Sequence, residues 1–299
     1  MLTGLTIVFL GGDARHLEII GKCTEMDATV KVAGYDQLKQ PLPGVSQEKL
    51  TSDLLGEADV LILPVVGCDE NGVVSTSFSE DKLVLREEHV AALPKHALIY
   101  TGLAKPYLIK LCEKYNLKLN QVLDRDEVAI YNSIPSAEGA LMIAMQNTDI
   151  TIHGSSCSVL GMGRTGFTMA KTLQGIGAHV RVGVRRKDHF ARAEEMGWKP
   201  FLTTDLADEV SGIDLIFNTI PTMIITAQVI SKLSPKAVIV DLASAPGGTD
   251  FRFAEKRGIK AILAPGLPGI VAPRTAGMIM ANCICQSVLE EFKTRGDEQ

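Results

Sequence analysis

Residues Ser155–Gly177 read SSCSVLGMGRTGFTMAKTLQGIG. A short apolar run, Cys157–Leu160, leads into Gly161, Gly163 and Gly166 in G-x-G-x-x-G spacing. A helical pattern follows, with Phe167, Ala170 and Leu173 on one face. Strand, glycine turn and helix are the parts of a dinucleotide-binding unit. The first glycine permits the tight turn, the second lets backbone approach a pyrophosphate, and the third lets the helix pack on the strand. The free amides at the helix start, with the helix dipole, suit phosphate charge. A second strand at His179–Val184 completes the context. The sequence therefore predicts a dinucleotide on the turn, at Gly161, Met162, Gly163, Arg164, Thr165 and Gly166.

The residues after the second strand select the nucleotide. NAD sites usually place Asp or Glu there, to accept from the ribose 2′-hydroxyl. This chain has Arg185, Arg186 and Lys187. A carboxylate repels a 2′-phosphate, whereas a guanidinium pairs with it. NADP is the expected cofactor, with Arg185 and Arg186 at its 2′-phosphate.

Outward from this segment, the chain has 299 residues, enough for two cores. A net charge of −5 supplies no basic field for nucleic acid. No apolar run approaches membrane-spanning length. The opening MLTGLTIVFLGGDARHLE reads as strand and turn rather than signal peptide, so a cytoplasmic location is expected. The six cysteines form no CxxC pair and no zinc-type cluster, so they read as reduced, small apolar residues and no metal is expected.

Strands and helices alternate along both halves. The first half has strands at Thr6–Leu10, Thr29–Ala33, Ala58–Leu63 and Ala97–Tyr100, and the second at Val180–Val184, Asp214–Asn218, Ala237–Asp241 and Lys260–Leu263. The segments TIVFLGG and SVLGMG, ADVLILP and IDLIFNTIP, HALIYTG and AVIVDLA echo each other. The predicted fold class is α/β, with two doubly wound, parallel-sheet, Rossmann-like domains. Residues 1–135 form a substrate-side domain and 136–275 the NADP domain. A C-terminal helix over 276–299 is expected to pack back on the first domain, its end fraying from Thr294. A second small-residue helix, Ala137–Gln146, is opened by Pro135–Ser136. Gly67–Ser79 reads as a polar loop. In the first domain Asp13 stands where the glycine turn meets its helix. A carboxylate there caps the helix and opposes pyrophosphate, so this domain supplies the other half of a cleft instead.

Ligands in open α/β sheets sit at the carboxyl ends of the strands. In the second domain that rule selects Asn218, Thr219 and Pro221, then Asp241, Ala243 and Ser244, as further cofactor contacts. The Pro/Gly-rich runs SAPGG and APGLPGIVAP suit a flat ring in close contact with backbone. In the first domain, Arg15 and Arg125 are candidates to clamp substrate carboxylates, and Ser133 to donate at a helix start. Asp13, His16 and Glu138 are candidate proton carriers. Each of these also has a structural reading, as a cap, a solvated charge or a helix salt bridge.

The strings GGDARHLEII, GVVSTSFS, AIYNSIPSAEGA, TIHGS, LGMGRTG, NTIP, DLASAPGGTDF and APGLPGIVAPRTAG run along nearly the whole chain. In them the sequence resembles the dipicolinate synthase A-subunit family of spore-forming bacteria. The resemblance implies NADP-dependent oxidation of dihydrodipicolinate, a small dicarboxylate, in the mother cell. It also implies the flavoprotein-like B subunit of dipicolinate synthase as partner, and a fold like that of 2-hydroxyacid and alanine dehydrogenases. A homo-oligomer is expected. Two alternatives stand beside it. One is an ordinary NAD(P)-dependent 2-hydroxyacid or amino-acid dehydrogenase, disfavoured because no His follows His189 to serve as proton carrier. The other is a non-catalytic NADP-binding regulatory protein.

Overall fold

The computed structural model describes residues 1–297. The chain divides into two compact units, Met1–Val128 with the chain from Pro273 onward, and Ala129–Ala272. The sequence put the first change at 135/136; the division falls earlier, within one helix.

The first unit contains strands β1 (Thr6–Leu10), β2 (Thr29–Ala33), β3 (Val45–Gln47), β4 (Val60–Ile62), β5 (Val73–Val74), β6 (Leu83–Val84), β7 (Leu98–Thr101) and β8 (Lys118–Gln121). Its helices are α1 (Ala14–Glu25), α2 (Ser52–Gly56), α3 (Glu87–Ala92) and α4 (Pro106–Tyr115), and α5 (Asp126–Asn147) then carries the chain into the second unit. There follow β9 (Ser156–Leu160), α6 (Arg164–Ile176), β10 (His179–Val184), α7 (Lys187–Glu195), β11 (Lys199–Leu202), α8 (Leu206–Glu209) and β12 (Leu215–Asn218). The unit closes with α9 (Ala227–Ser231), β13 (Val238–Asp241), α10 (Phe251–Lys256), β14 (Lys260–Leu263) and α11 (Leu267–Val271), and α12 (Pro273–Asp297) returns to the first.

Each unit holds a six-stranded sheet of one topology, β3-β2-β1-β4-β7-β8 and β11-β10-β9-β12-β13-β14, with every neighbouring pair parallel. The central strands are largely apolar because both faces are covered. On β1, Ile7 and Phe9 enter one core, with Ile19 and Ile20 of α1 and Ile284 and Val288 of α12, while Val8 and Leu10 enter the core on the other face. The echo between the units extends to single bonds. Asp59, just before β4, accepts from the Thr6 amide at 2.8 Å, and Asp214, just before β12, accepts from the Ser156 amide at 2.8 Å.

Three elements differ from the expectation. The helix read as Ala137–Gln146 runs from Asp126 to Asn147, with Pro135 inside it. Near it, Ser133 Oγ donates to the Ile130 carbonyl at 2.6 Å and Ser136 Oγ to that of Asn132 at 2.9 Å. The polar loop Gly67–Ser79 contains β5, which pairs antiparallel with β6. The helix placed at 276–299 begins at Pro273 and is described to Asp297. Glu298 and Gln299 lie outside the described residues.

Candidate functional site

In the second unit the glycine turn is built as its spacing requires. Gly161 has φ +97°, and a side chain there would meet Thr219 Oγ1 at 2.5 Å. A Cβ on Gly166 would run into the Gly161 carbonyl, so only hydrogen lets α6 lie against the turn. Gly163 has open space where a side chain would be; it is the N-cap of α6 and provides no side-chain cap. Met162 buries its side chain in the core and so offers only backbone at the turn. Arg164 and Thr165 open the helix.

At the ends of the neighbouring strands, the polar residues selected by sequence are bonded within the unit. Asn218 is fully buried. Its Nδ2 donates to Asp241 Oδ1 at 3.0 Å and to the Ile220 carbonyl at 3.0 Å, and its Oδ1 accepts from the Ile220 amide at 3.0 Å. Asp241, also fully buried, accepts in addition from Ala243 N at 3.1 Å, Gly248 N at 2.8 Å and Thr249 Oγ1 at 2.6 Å. Thr219 closes the end of β9, its hydroxyl donating to the Leu160 carbonyl at 2.8 Å. These three side chains thus shape the loops in this structure rather than present polar atoms to a ligand. Pro221 and Ser244 are exposed, while Ala243 is buried. The SAPGG run owes its second glycine to loop packing: a Cβ on Gly248 would meet the carbonyls of Ile220 and Thr222, both at 2.5 Å.

After β10, Arg186 is the N-cap of α7 and pairs with Asp188. Arg185 is exposed and makes no ion pair among the described residues. Its guanidinium is therefore available to an anion.

The corresponding turn in the first unit is closed. The Gly12 amide donates to the Ser75 carbonyl at 2.9 Å and the Ser77 amide to the Gly12 carbonyl at 2.8 Å. Asp13 caps α1 by accepting from the Arg15 amide at 3.0 Å. The Arg15 guanidinium grips the same carboxylate, Nε to Oδ1 at 3.0 Å and Nη2 to Oδ2 at 2.5 Å. Burial works to raise the Asp13 carboxyl, but the hydrogen bonds and charge of Arg15 outweigh it and hold it well below the usual carboxylate range. His16 is fully buried. Its Nδ1 accepts from the Asp13 amide at 3.2 Å and its Nε2 lies 3.2 Å from the Leu63 carbonyl, a pattern that places the proton on Nε2.

Sequence reasoning missed Ser75 and Ser77. Thr76 turns inward, donating to the Gly34 carbonyl at 2.7 Å. Ser75 and Ser77, on either side of it, are both exposed, on the segment bonded to Gly12. Nothing short of the pairing with the Gly12 turn distinguishes them from loop serines.

The remaining candidates are dispersed. Arg125 pairs with Glu127 at 2.5 Å. Ser133, on α5, shares a 2.6 Å hydrogen bond with Thr168 Oγ1 of α6, in which the Thr168 hydroxyl donates because Ser133 gives its own proton to the Ile130 carbonyl. It is thus tied to the first turns of α6. Glu138 is exposed on α5. Among the described residues no cluster of side chains suits a metal ion, and no helix is long and apolar enough to cross a membrane.

Strand, uncapped helix start and switch in strand order after β9 together define a Rossmann-type dehydrogenase domain, a class that binds nicotinamide cofactors. Residues 132–297 match the family described as alanine dehydrogenase/PNT, C-terminal domain, and residues 6–123 match the N-terminal domain of the dipicolinate synthase A subunit. The dipicolinate synthase A subunit of Bacillus subtilis strain 168 is 49% identical over 290 residues, covering 97% of this chain and 98% of that protein. A crystal structure of the Bacillus subtilis dipicolinate synthase A chain superposes with TM-score 0.94 at 49% identity, covering 98% of this chain and 99% of the other. That of the Bacillus halodurans A subunit does so with TM-score 0.93 at 46% identity, covering 96% and 98%. In fold alone, an L-alanine dehydrogenase is similar, with TM-score 0.62 at 15% identity. The chain belongs to the dipicolinate synthase A-subunit family.

Proposed function

We propose that this chain oxidises dihydrodipicolinate to dipicolinate with NADP as acceptor, together with a flavoprotein-like second subunit, in the mother cell of a sporulating bacterium. The kinship with proteins named as the A subunit of dipicolinate synthase supports the product, and the word subunit supports a partner. The observation that carries the nucleotide reading is an uncapped α6 start in the same unit as an unpaired Arg185. Backbone at Gly161–Gly166 holds the pyrophosphate, and Arg185 meets the 2′-phosphate, with Arg186 able to turn from Asp188 and join it. Bound NADP supplies a hydride acceptor.

In the first unit, the free edge of Arg15 and the hydroxyls of Ser75 and Ser77 hold a substrate carboxylate. Asp13 fixes the guanidinium and, being so weak a base, takes no proton. His16, with both nitrogens engaged, positions the Asp13 amide. Loss of hydride and proton makes the ring aromatic, so the reaction itself supplies the driving force and the chain mainly orients the ring. The ring proton can leave to water.

The test is incubation of the purified chain with NADP and freshly made dihydrodipicolinate, following dipicolinate by its ultraviolet absorbance. Product formation is expected. Failure even with the second subunit present refutes the assignment.

A further inference from the structure

The first and last helices of the first unit meet through two thiols. Cys23 stands in the last turn of α1 and Cys285 midway along α12, 262 residues apart in the chain. Their sulfurs share a hydrogen bond at 3.8 Å, and both side chains are buried. The proposed reaction uses neither of them.

The helices are built to approach closely at this pair. Gly277, Ala281 and Cys285 stand four residues apart and so share one face of α12. A Cβ on Gly277 would meet the Arg15 carbonyl of α1 at 2.4 Å, so glycine lets backbone lie on backbone there. Ala281, fully buried, continues the seam. Cys23 stands eight residues after Arg15, and Cys285 eight after Gly277. An equal advance of about 12 Å along each helix means that α1 and α12 run in the same direction with these faces in register. The closeness imposed at Gly277 therefore extends to the sulfurs.

The two thiols also differ in reactivity. The hydrogen bond from Cys23 pulls the Cys285 thiol down from its ordinary value, opposed by burial and helped by the Lys22 charge. The same bond and burial push the Cys23 thiol up. Cys285 is thus the nucleophile of the pair and Cys23 the resolving thiol.

We propose that Cys23 and Cys285 form a modification site for peroxide, which closes them into a disulfide tying α1 to α12. The Cys285 thiolate attacks one peroxide oxygen, the O–O bond breaks, and the departing hydroxide takes up the thiol proton and leaves as water. The sulfenic acid so formed is attacked by Cys23. Its S–O bond breaks, and a second water leaves with the Cys23 proton. Two thiols and one hydrogen peroxide become one disulfide and two waters. The oxidant is scarcely larger than water, and Cys23 lies at a helix end, where fraying admits it. The bond closes a loop spanning most of the chain, which restrains the unfolded state strongly. It also fixes the seam whose other end, Gly277, rests on Arg15.

The full chain is reduced, freed of reductant, treated with a slight excess of hydrogen peroxide, alkylated in urea, weighed whole and digested with trypsin. The oxidised product should carry one bond in place of two thiols, in a linked pair of peptides holding Cys23 and Cys285. Its melting temperature should rise by roughly 5–15 °C and return with dithiothreitol. Cys23→Ala and Cys285→Ala should each abolish the link and the rise. Cys283→Ala, which removes the other thiol of the same tryptic peptide, should keep both. Cys157, whose sulfur lies 3.3 Å from the Ser155 hydroxyl instead, should still be alkylated. If an alanine variant fails to fold, the peptide map of the wild-type chain decides. Cys23 and Cys285 both alkylated after peroxide would overturn the proposal, as would sulfinic acid at Cys285 without a link, or a link from either to another cysteine. A link with no rise in melting temperature would refute the claim that the seam is already set for the bond.

Discussion

Asp241→Asn isolates the contribution of one buried carboxylate at almost constant shape. Asp241 receives four donors, from Asn218, Ala243, Gly248 and Thr249, at 2.6 to 3.1 Å. Asparagine keeps one oxygen and replaces the other by an NH2 group. Whichever way it sits, two of the four donors then face a donor. Each buried, unsatisfied donor costs about 1–3 kcal/mol, so the pair costs about 2–6 kcal/mol. Two effects reduce this. The Thr249 hydroxyl can rotate, and removing a buried charge recovers part of its desolvation cost. A loss of about 2–4 kcal/mol remains, a large share of the roughly 5–15 kcal/mol that stabilises a typical domain. The chain offers a built-in reporter: its single tryptophan, Trp198, is buried in the second unit and packs edge-on against Phe167 at 5.4 Å between ring centroids. Urea unfolding followed by its fluorescence should show a lower midpoint at unchanged slope. A loss under about 1 kcal/mol would refute the view that this carboxylate organises the loops at the strand ends.

Gly166→Ala should weaken NADP binding at least tenfold by calorimetric titration, because its Cβ meets a backbone carbonyl that has no room to yield; unchanged affinity would remove the glycine turn from the nucleotide site. Arg185→Asp should lower the NADP-to-NAD affinity ratio about 10- to 100-fold at low salt, the value of a charge-assisted hydrogen bond of roughly 1.5–3 kcal/mol, and an unaltered ratio would place the 2′-phosphate elsewhere. Asp13 should contribute to acid sensitivity. Burial raises its carboxyl, but the bonds and charge of Arg15 prevail and its folded pKa is depressed. Its stabilisation is therefore complete above the unfolded value of about 4 and is lost progressively as pH falls below it. Asp13→Asn should flatten the fall in urea midpoint from pH 5 to pH 3; a parallel fall in both proteins would count against the Arg15 clasp.

Much of the fold was legible because its signals are local. Gly161, Gly163 and Gly166 sit between an apolar run and a helical period, and the arrangement announces strand, turn and helix within a dozen residues. The short edge strands β3 and β11 escaped notice, since Val45–Gln47 and Lys199–Leu202 are mostly solvent-facing and carry no alternating pattern. Pro135 obscures the extent of α5, because a proline at a helix start and one tolerated inside a helix look alike in the sequence. Asn218 and Asp241 were selected correctly as strand-end residues, yet nothing local reveals that each has the other, 23 residues away, as its partner.

Residue order was enough to define the doubly wound pattern, the unit that carries the full glycine turn and the cationic residues after its second strand. Each depends on a run of neighbours, and chain stereochemistry acts on neighbours directly. Which polar side chains remain open to a ligand was settled by long-range folding alone. Ser75–Ser77 closes the Gly12 turn from more than sixty residues away, Arg15 is turned onto Asp13, and Arg185 is left unpaired. A hydrogen bond saturates a group irrespective of sequence distance, so availability is a property of the folded contacts and not of the order of residues.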